Sequence, residues 1–428
     1  MTAGDTIAAV STAKGPAAVA IVRLSGADAF AVAGRMTRRP LPSPGTFAFA
    51  KLFRPGAAEG DLHVDEALVL VFKGPRSYTG EDVVEFHCHG GAVQPERVLG
   101  AAFEAGARAA RRGEFTERAF LNGKLSYDEA EAVLDLVNAR TSRAADDALE
   151  GMAGGRRRAV ERLYGDALSL SAEMEHSLDV DEEELPCGFV ARIARDAAAL
   201  RERILSEAKK ERERRMFRRG ASVVLLGPPN AGKSTLLNAI LGEERAIVSG
   251  TPGTTRDVID AWTDIGGWPV RLVDTAGVRE TADPVEARGV SMARDEACRA
   301  DVVILLGVAC GEPFPDGTEV VRVHAKCDVS RGDGLNVSAV TGEGLEELKA
   351  SVAAALERKA QKPVEADGDA ARLSLLERAA SVLGDLPAEA VPLANALRDA
   401  AVVLGSASGA VYSSDLLDNL FSRFCVGK

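Results

Sequence analysis

Ser222-Val-Val-Leu-Leu-Gly-Pro-Pro-Asn-Ala-Gly-Lys-Ser-Thr235 is the stretch that decides the fold of the central part of the chain. An apolar run enters G-x-x-x-x-G-K-S at Gly227, and helix-forming residues follow it. This pattern is typical of a strand, a phosphate-binding loop and a helix, in which backbone N–H groups and the helix N-terminus face the phosphates. In such a loop Lys233 reaches the β- and γ-phosphates, and the Ser234 hydroxyl binds Mg²⁺.

Two further signatures follow this loop in the order expected of a nucleotide switch. Gly253-Thr-Thr-Arg-Asp257 belongs to the segment that other P-loop switches order around the γ-phosphate and Mg²⁺. Val273-Asp-Thr-Ala-Gly277 ends another apolar run, so that Asp274 would hold Mg²⁺ through water and the Gly277 N–H would sense the γ-phosphate. The three signatures together predict binding and hydrolysis of a nucleoside triphosphate.

The base-recognition signature is incomplete. A guanine site normally has Asn-Lys-x-Asp after a strand, and this chain supplies Lys326 and Asp328 but has Ala325 in place of the Asn. Ser338-Ala339 follows the next predicted strand, as in a guanine-binding loop. A carboxylate at 328 still selects guanine, because adenine offers it no pair of donors. We expect weakened binding, still of GTP, and how much affinity Ala325 leaves is open.

The residue that follows Gly277 raises a catalytic question. Val278 is apolar and cannot orient a water molecule for attack on the γ-phosphate, as a glutamine would. Glu286, Arg279 and Asn230 are the nearby candidates for assisting hydrolysis. Spacing alone favours plainer interpretations of them: a solvated carboxylate, a surface cation and an amide that braces the loop.

Composition and charge limit the class of protein. The chain has 428 residues, of which 46% are hydrophobic and 27% charged, as expected of two or three globular domains. No apolar run is long enough to span a bilayer, and no secretory pattern opens the sequence. Six scattered cysteines fit a reducing compartment. We therefore expect a cytoplasmic protein that does not enter membranes.

Basic residues are clustered in two places despite the net charge of -12. One cluster is Arg156–Arg158, and the other lies within Lys209–Arg219. The acidic whole-molecule charge opposes general attraction to nucleic acid, so any such contact would be local. We interpret both clusters as solvated helix faces.

The N-terminal region has a mixed α and β pattern. Alternating or apolar runs predict strands, and Ser25 is the predicted N-cap of the helix that follows. The predicted elements are strands at Thr6–Ser11, Ala17–Leu24, Ala67–Phe72 and Val83–His89, and a helix over Ala27–Met36.

The rest of the chain is helical, then alternating, then helical again. Residues 121–216 have helical periodicity that Leu185-Pro-Cys-Gly188 interrupts. Strands and helices alternate over 217–360, the pattern of a parallel sheet with crossover helices. The predicted strands are 222–226, 269–273, 301–307, 319–323 and 334–338, and later helices cover 371–382 and roughly 389–420.

The predicted architecture is α/β plus α, with a nucleotide-binding domain inserted into a helical domain. The predicted divisions are an N-terminal α/β domain at 1–120, the first helical part at 121–216, the inserted P-loop domain with a mostly parallel sheet at 217–362, and the second helical part at 363–428. Changes at the nucleotide would therefore act on both connections to the helical domain.

Four stretches outside the nucleotide signatures carry a family resemblance. They are Asp5-Thr-Ile-Ala-Ala9, Gly80-Glu-Asp-Val-Val-Glu-Phe-His-Cys-His-Gly-Gly91, Gly113-Glu-Phe-Thr-Glu-Arg-Ala-Phe-Leu-Asn-Gly-Lys124 and Phe424-Cys-Val-Gly-Lys428. Together with the GTPase motifs they resemble the MnmE (TrmE) family of tRNA-modification GTPases, along the whole chain and in the right order.

The resemblance implies a function and partners. The family works with the flavoprotein MnmG, in an expected heterotetramer, to add an aminomethyl or carboxymethylaminomethyl group to C5 of the wobble uridine, position 34, of certain tRNAs. A folate, 5-formyl- or 5,10-methylene-tetrahydrofolate, supplies the one-carbon unit. The N-terminal domain binds the folate and makes a homodimer. By position, the folate contacts fall on Arg23, Glu85, Lys124 and Lys428.

The resemblance also assigns roles in GTP hydrolysis. It places K⁺ on Asn230, Ser249, Thr251 and Thr254, and Mg²⁺ on Ser234 and Thr255. It makes Glu286 the residue that orients water or acts as acid and base, which answers the gap left by Val278, with Lys233, Asp274 and Arg279 as further catalytic candidates. The implied GTP contacts are Asn230, Ala231, Gly232, Lys233, Ser234, Thr235, Ser249, Gly250, Thr251, Pro252, Gly253, Thr254, Thr255, Asp274, Thr275, Ala276, Gly277, Lys326, Asp328, Ser338 and Ala339.

Three side chains keep more than one interpretation. Cys425 matches a family cysteine and is a candidate for the modification chemistry, but a packing thiol is equally favoured. His87 and His89 suggest a metal, yet we favour strand residues near the folate pocket.

Two other functions remain as alternatives. The first is an Era-like ribosome-assembly GTPase that acts as an RNA-binding switch, which would explain the GTPase signatures but not the folate set or the C-terminal stretch. The second is a lipid-anchored signalling GTPase, suggested by Cys425 at the fourth position from the end, although Gly427 and Lys428 fit the usual lipidation pattern poorly. The particular tRNAs, glycine or ammonium as second substrate, and the coupling of hydrolysis to modification stay open.

Overall fold

The computed structural model describes two compact units. The described residues are 5–56, 58, 61, 63–181, 184–228, 230–242, 260–274, 296–307, 314, 318–362, 371–384, 386–387, 389–407, 417 and 420–428. The first unit comprises 1–134 with 411–428, and the second comprises 135–410. The four predicted domain divisions stay predictions.

The first unit contains a six-stranded sheet. Its strands are β1 (Ile7–Val10), β2 (Val19–Ser25), β3 (Phe47–Leu52), β4 (Asp65–Phe72), β5 (Val83–His89) and β6 (Arg108–Ala109). They are ordered β3-β4-β5-β2-β1-β6, and all pairs are antiparallel except β1 with β6. The buried strand residues Val22, Leu24 and Phe86 form the core with the helices.

The named helices that begin within residues 1–134 are α1 (Ala29–Thr37), α2 (Gln94–Glu104), α3 (Glu114–Leu121) and α4 (Tyr127–Asn138). The predicted strands and the first helix are present, but the prediction of Ser25 as an N-cap is wrong. Ser25 lies in β2, buried, and its hydroxyl bonds Thr79 Oγ1 and Glu81 Oε2, each at 2.7 Å. Asp28 takes the N-cap position and makes no side-chain cap bond.

The second unit begins with the helices α5 (Ser142–Met152), α6 (Gly155–Leu178) and α7 (Phe189–Arg219). Its sheet strands are β7 (Ala221–Leu226), β8 (Asp260–Ile265), β9 (Trp268–Asp274), β10 (Val302–Leu306), β11 (Glu319–Ala325) and β12 (Leu335–Val337). The remaining named helices are α8 (Lys233–Leu241), α9 (Leu345–Gln361), α10 (Ala371–Val382) and α11 (Ala390–Ala407).

The strand order of this second sheet is β12-β11-β10-β7-β9-β8. Every pair is parallel except β8 with β9. This confirms the predicted, mostly parallel sheet and adds an antiparallel edge strand, β8. The helices α6, α7, α10 and α11 share a separate apolar core that includes Leu163, Ile193, Leu376 and Leu397. No described helix combines the length and apolar character needed to cross a bilayer.

The interpretation of the two basic clusters as solvated helix faces is wrong for part of each cluster, although Arg157, Arg158 and Lys210 are exposed. Arg156, Arg212 and Arg214 are buried. Arg214 donates to Asp147 Oδ1, Glu207 Oε1 and Glu211 Oε2, at 3.1 Å in each case. Burial alone would raise the pKa of Glu211, but the surrounding arginines, Arg214 first, lower it to about 2. The cations neutralise carboxylates between packed helices, a need that local sequence does not reveal.

Candidate functional site

The phosphate-binding loop runs from the end of β7 into the start of α8. Asn230 has φ 60° and Gly232 has φ 92°, left-handed conformations that turn the backbone within the loop. A Cβ at Gly227 would lie 2.7 Å from the carbonyl oxygen of Leu306 on β10, so a larger residue does not fit there. The sequence therefore forms the close turn that a phosphate cradle requires.

Two lysines brace this loop. Lys233 Nζ donates to the carbonyl oxygens of Gly227 and Pro228, each at 2.9 Å. Lys326 Nζ donates to the carbonyl oxygen of Asn230 at 2.9 Å and so ties the base-recognition loop to the phosphate loop. Ala231 is partly buried, whereas Ser234 and Thr235 are exposed on the first turn of α8.

The base-recognition residues lie on two neighbouring loops. Lys326 follows β11, and the Cys327 N–H donates to the Val337 carbonyl at 3.2 Å. Ser338 is buried and its hydroxyl accepts from the Val340 and Thr341 N–H groups, which shapes the loop carrying Ala339. Asp328 is exposed. The arrangement leaves a carboxylate available to guanine N–H donors, with Ala325 at the end of β11.

Most of the predicted switch residues lie outside the described part of the chain. The backbone of Asp274 ends β9, in register with Leu225 on the strand that leads to the phosphate loop. The predicted residues outside the description are Ser249, Gly250, Thr251, Pro252, Gly253, Thr254, Thr255, Thr275, Ala276, Gly277, Arg279 and Glu286. Their roles in binding K⁺ and Mg²⁺ and in catalysis stay predictions.

A second cluster of predicted residues lies in the first unit. Arg23 and Glu85 are directly opposite on β2 and β5, and Arg23 Nε donates to Glu85 Oε1 at 2.8 Å. The guanidinium of Arg23 lies 5.4 Å from the ring centre of Tyr78 and 5.7 Å from that of Phe115. His87 Nε2 lies 3.1 Å from Glu85 Oε2. A carboxylate is thus held between a cation and an imidazole, beside two aromatic rings.

The C-terminal stretch is attached to the same unit. The Ser11 hydroxyl donates to the Gly427 carbonyl at 2.9 Å, and Arg112 Nε donates to the Phe424 carbonyl at 3.0 Å. Gly427 has φ 102°, and a Cβ there would lie 2.3 Å from the Val10 carbonyl oxygen. Only glycine fits this close approach.

This attachment brings the last residue to the cluster. Burial and the nearby charge of Arg23 lower the pKa of Lys428. Cys425, which lies in the same C-terminal stretch, is exposed. Arg23, Glu85 and Lys428 are therefore gathered from three distant positions in the chain, and we refer to them as the R–E–K cluster.

Lys124 lies between α3 and α4 and contacts the segment that runs from Pro75 to Gly80. Its Nζ donates to the Pro75 carbonyl at 3.1 Å, and a Cβ at Gly80 would lie 3.2 Å from its Cγ. The segment between Pro75 and Gly80 also contains Tyr78, whose ring lies beside the Arg23 guanidinium. Sequence reasoning missed Tyr78, Ser11 and Arg112, because no local pattern marks them.

The two histidines of β5 have different partners. His87 bonds Glu85, whereas His89 Nδ1 lies 2.7 Å from Asp65 Oδ1. In the described residues, no group of three or more histidine, cysteine, aspartate or glutamate side chains is arranged to hold a metal ion.

Comparison with known proteins identifies relatives along the whole chain. Residues 6–124 match the family described as GTP-binding protein TrmE N-terminus, and 128–425 match the MnmE helical domain. The chain is 41% identical to the tRNA modification GTPase MnmE of Symbiobacterium thermophilum, covering 99% of each chain. It is 40% identical to a protein of that name from Thermus thermophilus, again over 99% of each.

A solved structure is also similar to part of the chain. It is the G domain of the T. maritima FeoB iron transporter, 26% identical, covering 32% of this chain and 98% of that one, with a TM-score of 0.24. The matches to the TrmE and MnmE families extend over both described units. This chain therefore belongs to the MnmE (TrmE) family of tRNA-modification GTPases.

Proposed function

We propose that this chain is a K⁺-stimulated GTP hydrolase that modifies C5 of the wobble uridine of certain tRNAs, together with the flavoprotein MnmG. The observation that carries the proposal is the R–E–K cluster, which this chain has in addition to a complete phosphate-loop signature. The ribosome-assembly alternative does not explain such a cluster. The full-length relatives named tRNA modification GTPase support the same function.

The GTPase part of the proposal assigns work to residues of the phosphate loop. Lys233, which bonds two loop carbonyls at 2.9 Å, would exchange them for phosphate oxygens when GTP binds. Ser234 supplies a hydroxyl oxygen, a ligand suited to Mg²⁺, with Thr255 as the proposed second protein ligand. Asn230, Ser249, Thr251 and Thr254 supply the oxygen atoms proposed for K⁺. The two metal ions would neutralise charge on the phosphates.

Glu286 completes the proposed hydrolytic set. Because Val278 cannot orient water, the attacking water needs a polar side chain from elsewhere, and Glu286 takes that role in the proposal. Asp328 selects guanine, and Lys326 holds its loop against the phosphate loop through the 2.9 Å bond to Asn230.

The folate part of the proposal rests on the chemistry of the R–E–K cluster. A pterin presents ring and amino N–H donors that suit the carboxylate of Glu85, and the glutamate tail of a folate presents carboxylates that suit Arg23, Lys124 and Lys428. Tyr78 offers an aromatic face beside Arg23. A 5-formyl- or 5,10-methylene-tetrahydrofolate fits this donor set and would supply the one-carbon unit, with Cys425 as a candidate in the modification chemistry.

The sheet edge of the first unit supports a homodimer. Within the described residues, β3 pairs only with β4, and its Phe47 and Phe49 are 68% and 63% exposed. An apolar edge strand of this kind is a liability in a monomer and is usually covered by a partner. A second copy of this chain is the proposed partner, and tRNA and MnmG would bind the dimer.

The test is to titrate the purified full chain separately with GTP, with 5-formyl-tetrahydrofolate and with ribosomal subunits, using calorimetry. Saturable binding of both small ligands, without binding of ribosomal subunits, is the expected result. Tight binding of ribosomal subunits with no folate binding would replace this proposal by the ribosome-assembly alternative.

A further inference from the structure

Both tryptophans of the chain lie on one hairpin of the second unit. Trp262 is in β8 and Trp268 begins β9, joined by a turn in which Gly266 and Gly267 have φ 60° and 83°. Two central residues with positive φ are typical of the tight hairpin turn whose twist matches its strands. The hairpin is therefore a tight, two-stranded unit.

This hairpin connects the two switch signatures in sequence. β8 begins at Asp260, three positions after the Gly253–Asp257 signature, and β9 ends at Asp274, inside the Val273–Gly277 signature. Both strands are hydrogen-bonded to each other along their length. The turn end of the hairpin is thus connected through β9 to Asp274, the Mg²⁺-binding aspartate of the proposed site.

Helix α5 and the residues just before it contact the turn end of the hairpin. The Thr141 hydroxyl donates to the Gly267 carbonyl at 2.9 Å and accepts from the Ala144 N–H at 3.2 Å, so this N-cap side chain serves both the helix and the hairpin. The guanidinium of Arg140 lies 3.7 Å from the ring centre of Trp262. These contacts fix where α5 begins relative to the hairpin.

Arg143 joins the hairpin to helix α7 as well. Its guanidinium lies 4.6 Å from the ring centre of Trp268 and 5.4 Å from that of Phe217, and Nη2 donates to Glu213 Oε2 at 2.8 Å. Helix α7 runs directly into β7 and the phosphate loop. One arginine thus contacts the element that precedes the phosphate loop and the element that links the switch signatures.

The contact is tight, and it leaves one polar group unsatisfied. A Cβ at Gly267 would lie 3.1 Å from Arg143 Cδ. Trp268 is fully buried, and its Nε1 has no hydrogen-bond partner in the described part of the chain. A buried donor without a partner opposes this docked arrangement. Packing and cation–π contacts hold the ring instead, and these can re-form after a small shift of the hairpin.

We propose that Arg140, Thr141 and Arg143 form a dock through which α5 positions the β8–β9 hairpin for GTP hydrolysis and receives its movement when the nucleotide changes. The proposal rests on the proposed GTPase function, and it assigns positioning residues outside the nucleotide site. Arg143 contributes most, because it contacts the hairpin and α7 together.

The test uses tryptophan fluorescence of the full chain, since both tryptophans report this dock. Emission is compared with GDP and with a non-hydrolysable GTP analogue in the wild type, Arg143→Ala, Arg143→Lys and Arg140→Ala, alongside steady-state GTP hydrolysis. Arg157→Ala is the matched control, because Arg157 is an exposed arginine on α6 whose side chain pairs with Glu161. In Trp262→Phe only Trp268 emits, so this variant shows which of the two tryptophans gives the emission difference.

The wild type is expected to differ in emission between the two nucleotides, and Arg143→Ala to lose most of that difference. Arg143→Ala should lower kcat by about tenfold with nucleotide affinity changed less than about twofold, the size of effect of a coupling residue away from the site. Arg143→Lys should recover part of both, and the exposed Arg140→Ala should act in the same direction without unfolding the protein.

An unchanged emission difference and kcat in both alanine variants would overturn the proposal. A loss of kcat matched by equal losses of nucleotide affinity and thermal stability would also overturn it, by making the contact merely structural. If the wild type binds no guanine nucleotide, the proposed function fails first. If the wild type hydrolyses GTP and Arg143→Ala changes neither the emission difference nor kcat, only the proposed dock is contradicted.

Discussion

The phosphate loop and the R–E–K cluster are two binding regions that the chain assembles in opposite ways. The loop is contiguous, from Gly227 to Ser234, and its lysine contacts carbonyls five and six positions away. The cluster joins Arg23 and Glu85 across two strands and adds Lys428 through the attached C-terminal stretch. A contiguous site is encoded by local spacing, whereas a distributed site depends on the whole fold of its unit.

The first prediction, which has the largest expected effect, tests whether the phosphate loop and the R–E–K cluster bind their ligands separately. Lys233→Ala removes the cation that would neutralise charge on the phosphates, so GTP hydrolysis should fall by about 10³-fold or more. Binding of 5-formyl-tetrahydrofolate should stay unchanged, because Lys233 and the cluster belong to different units. Steady-state hydrolysis and calorimetry measure the two results. Loss of folate binding as well would show that the two binding regions are not separate.

The second prediction tests the cluster itself. Glu85→Ala removes the carboxylate held by Arg23, and folate affinity should fall roughly 100-fold, the cost of about 2–3 kcal/mol for lost charge-assisted hydrogen bonds. Glu104→Ala removes an exposed carboxylate of the same unit and is the control. Calorimetric titration gives both dissociation constants. Equal affinities in the two variants would exclude Glu85 from the site.

The third prediction tests whether the C-terminal stretch must be attached for folate to bind. Gly427→Ala places a Cβ against the Val10 carbonyl, so Lys428 should be displaced and folate affinity should fall about tenfold, the cost of a strained backbone position. Val426→Ala, at a half-exposed side chain, should leave affinity unchanged. If Gly427→Ala binds folate as tightly as the wild type, Lys428 does not need this attachment.

The smallest expected effect concerns the incomplete base signature. Ala325→Asn restores the amide that guanine sites normally carry, and GTP affinity should rise about fivefold, the net worth of about one hydrogen bond. ATP affinity should not change, because the selective group is Asp328. Competition binding with the two nucleotides checks this. A fall in GTP affinity would mean that the loop after β11 has adapted to alanine.

The strands and helices were predictable where apolar residues recur at the spacing of a strand or a helix. Two strands without that spacing were not predicted. β3 was not predicted, since Phe47, Ala48 and Phe49 are all exposed and give no buried face. β8 was not predicted either, because its buried face carries Thr263 while Trp262 is only partly buried. Both are edge strands of their sheets, where packing on one side is incomplete.

The site was predictable to the extent that its residues are neighbours in sequence. The phosphate loop and Lys326 could be assigned from spacing alone. Arg23 and Lys428 came only from family resemblance, and Tyr78 came only from the structure, because their proximity depends on strand pairing and on the Gly427 contact. The burial of Arg156 and Arg214 was missed for the same reason, since their carboxylate partners include residues of other helices.

We propose that this chain hydrolyses GTP with help from a monovalent cation in place of a glutamine after Gly277. The most direct test is steady-state GTP hydrolysis by the purified protein in matched KCl and NaCl, with ATP as the control nucleotide. Turnover should be selective for GTP and faster in K⁺ than in Na⁺. Equal rates in the two salts, or no hydrolysis in either, would contradict it.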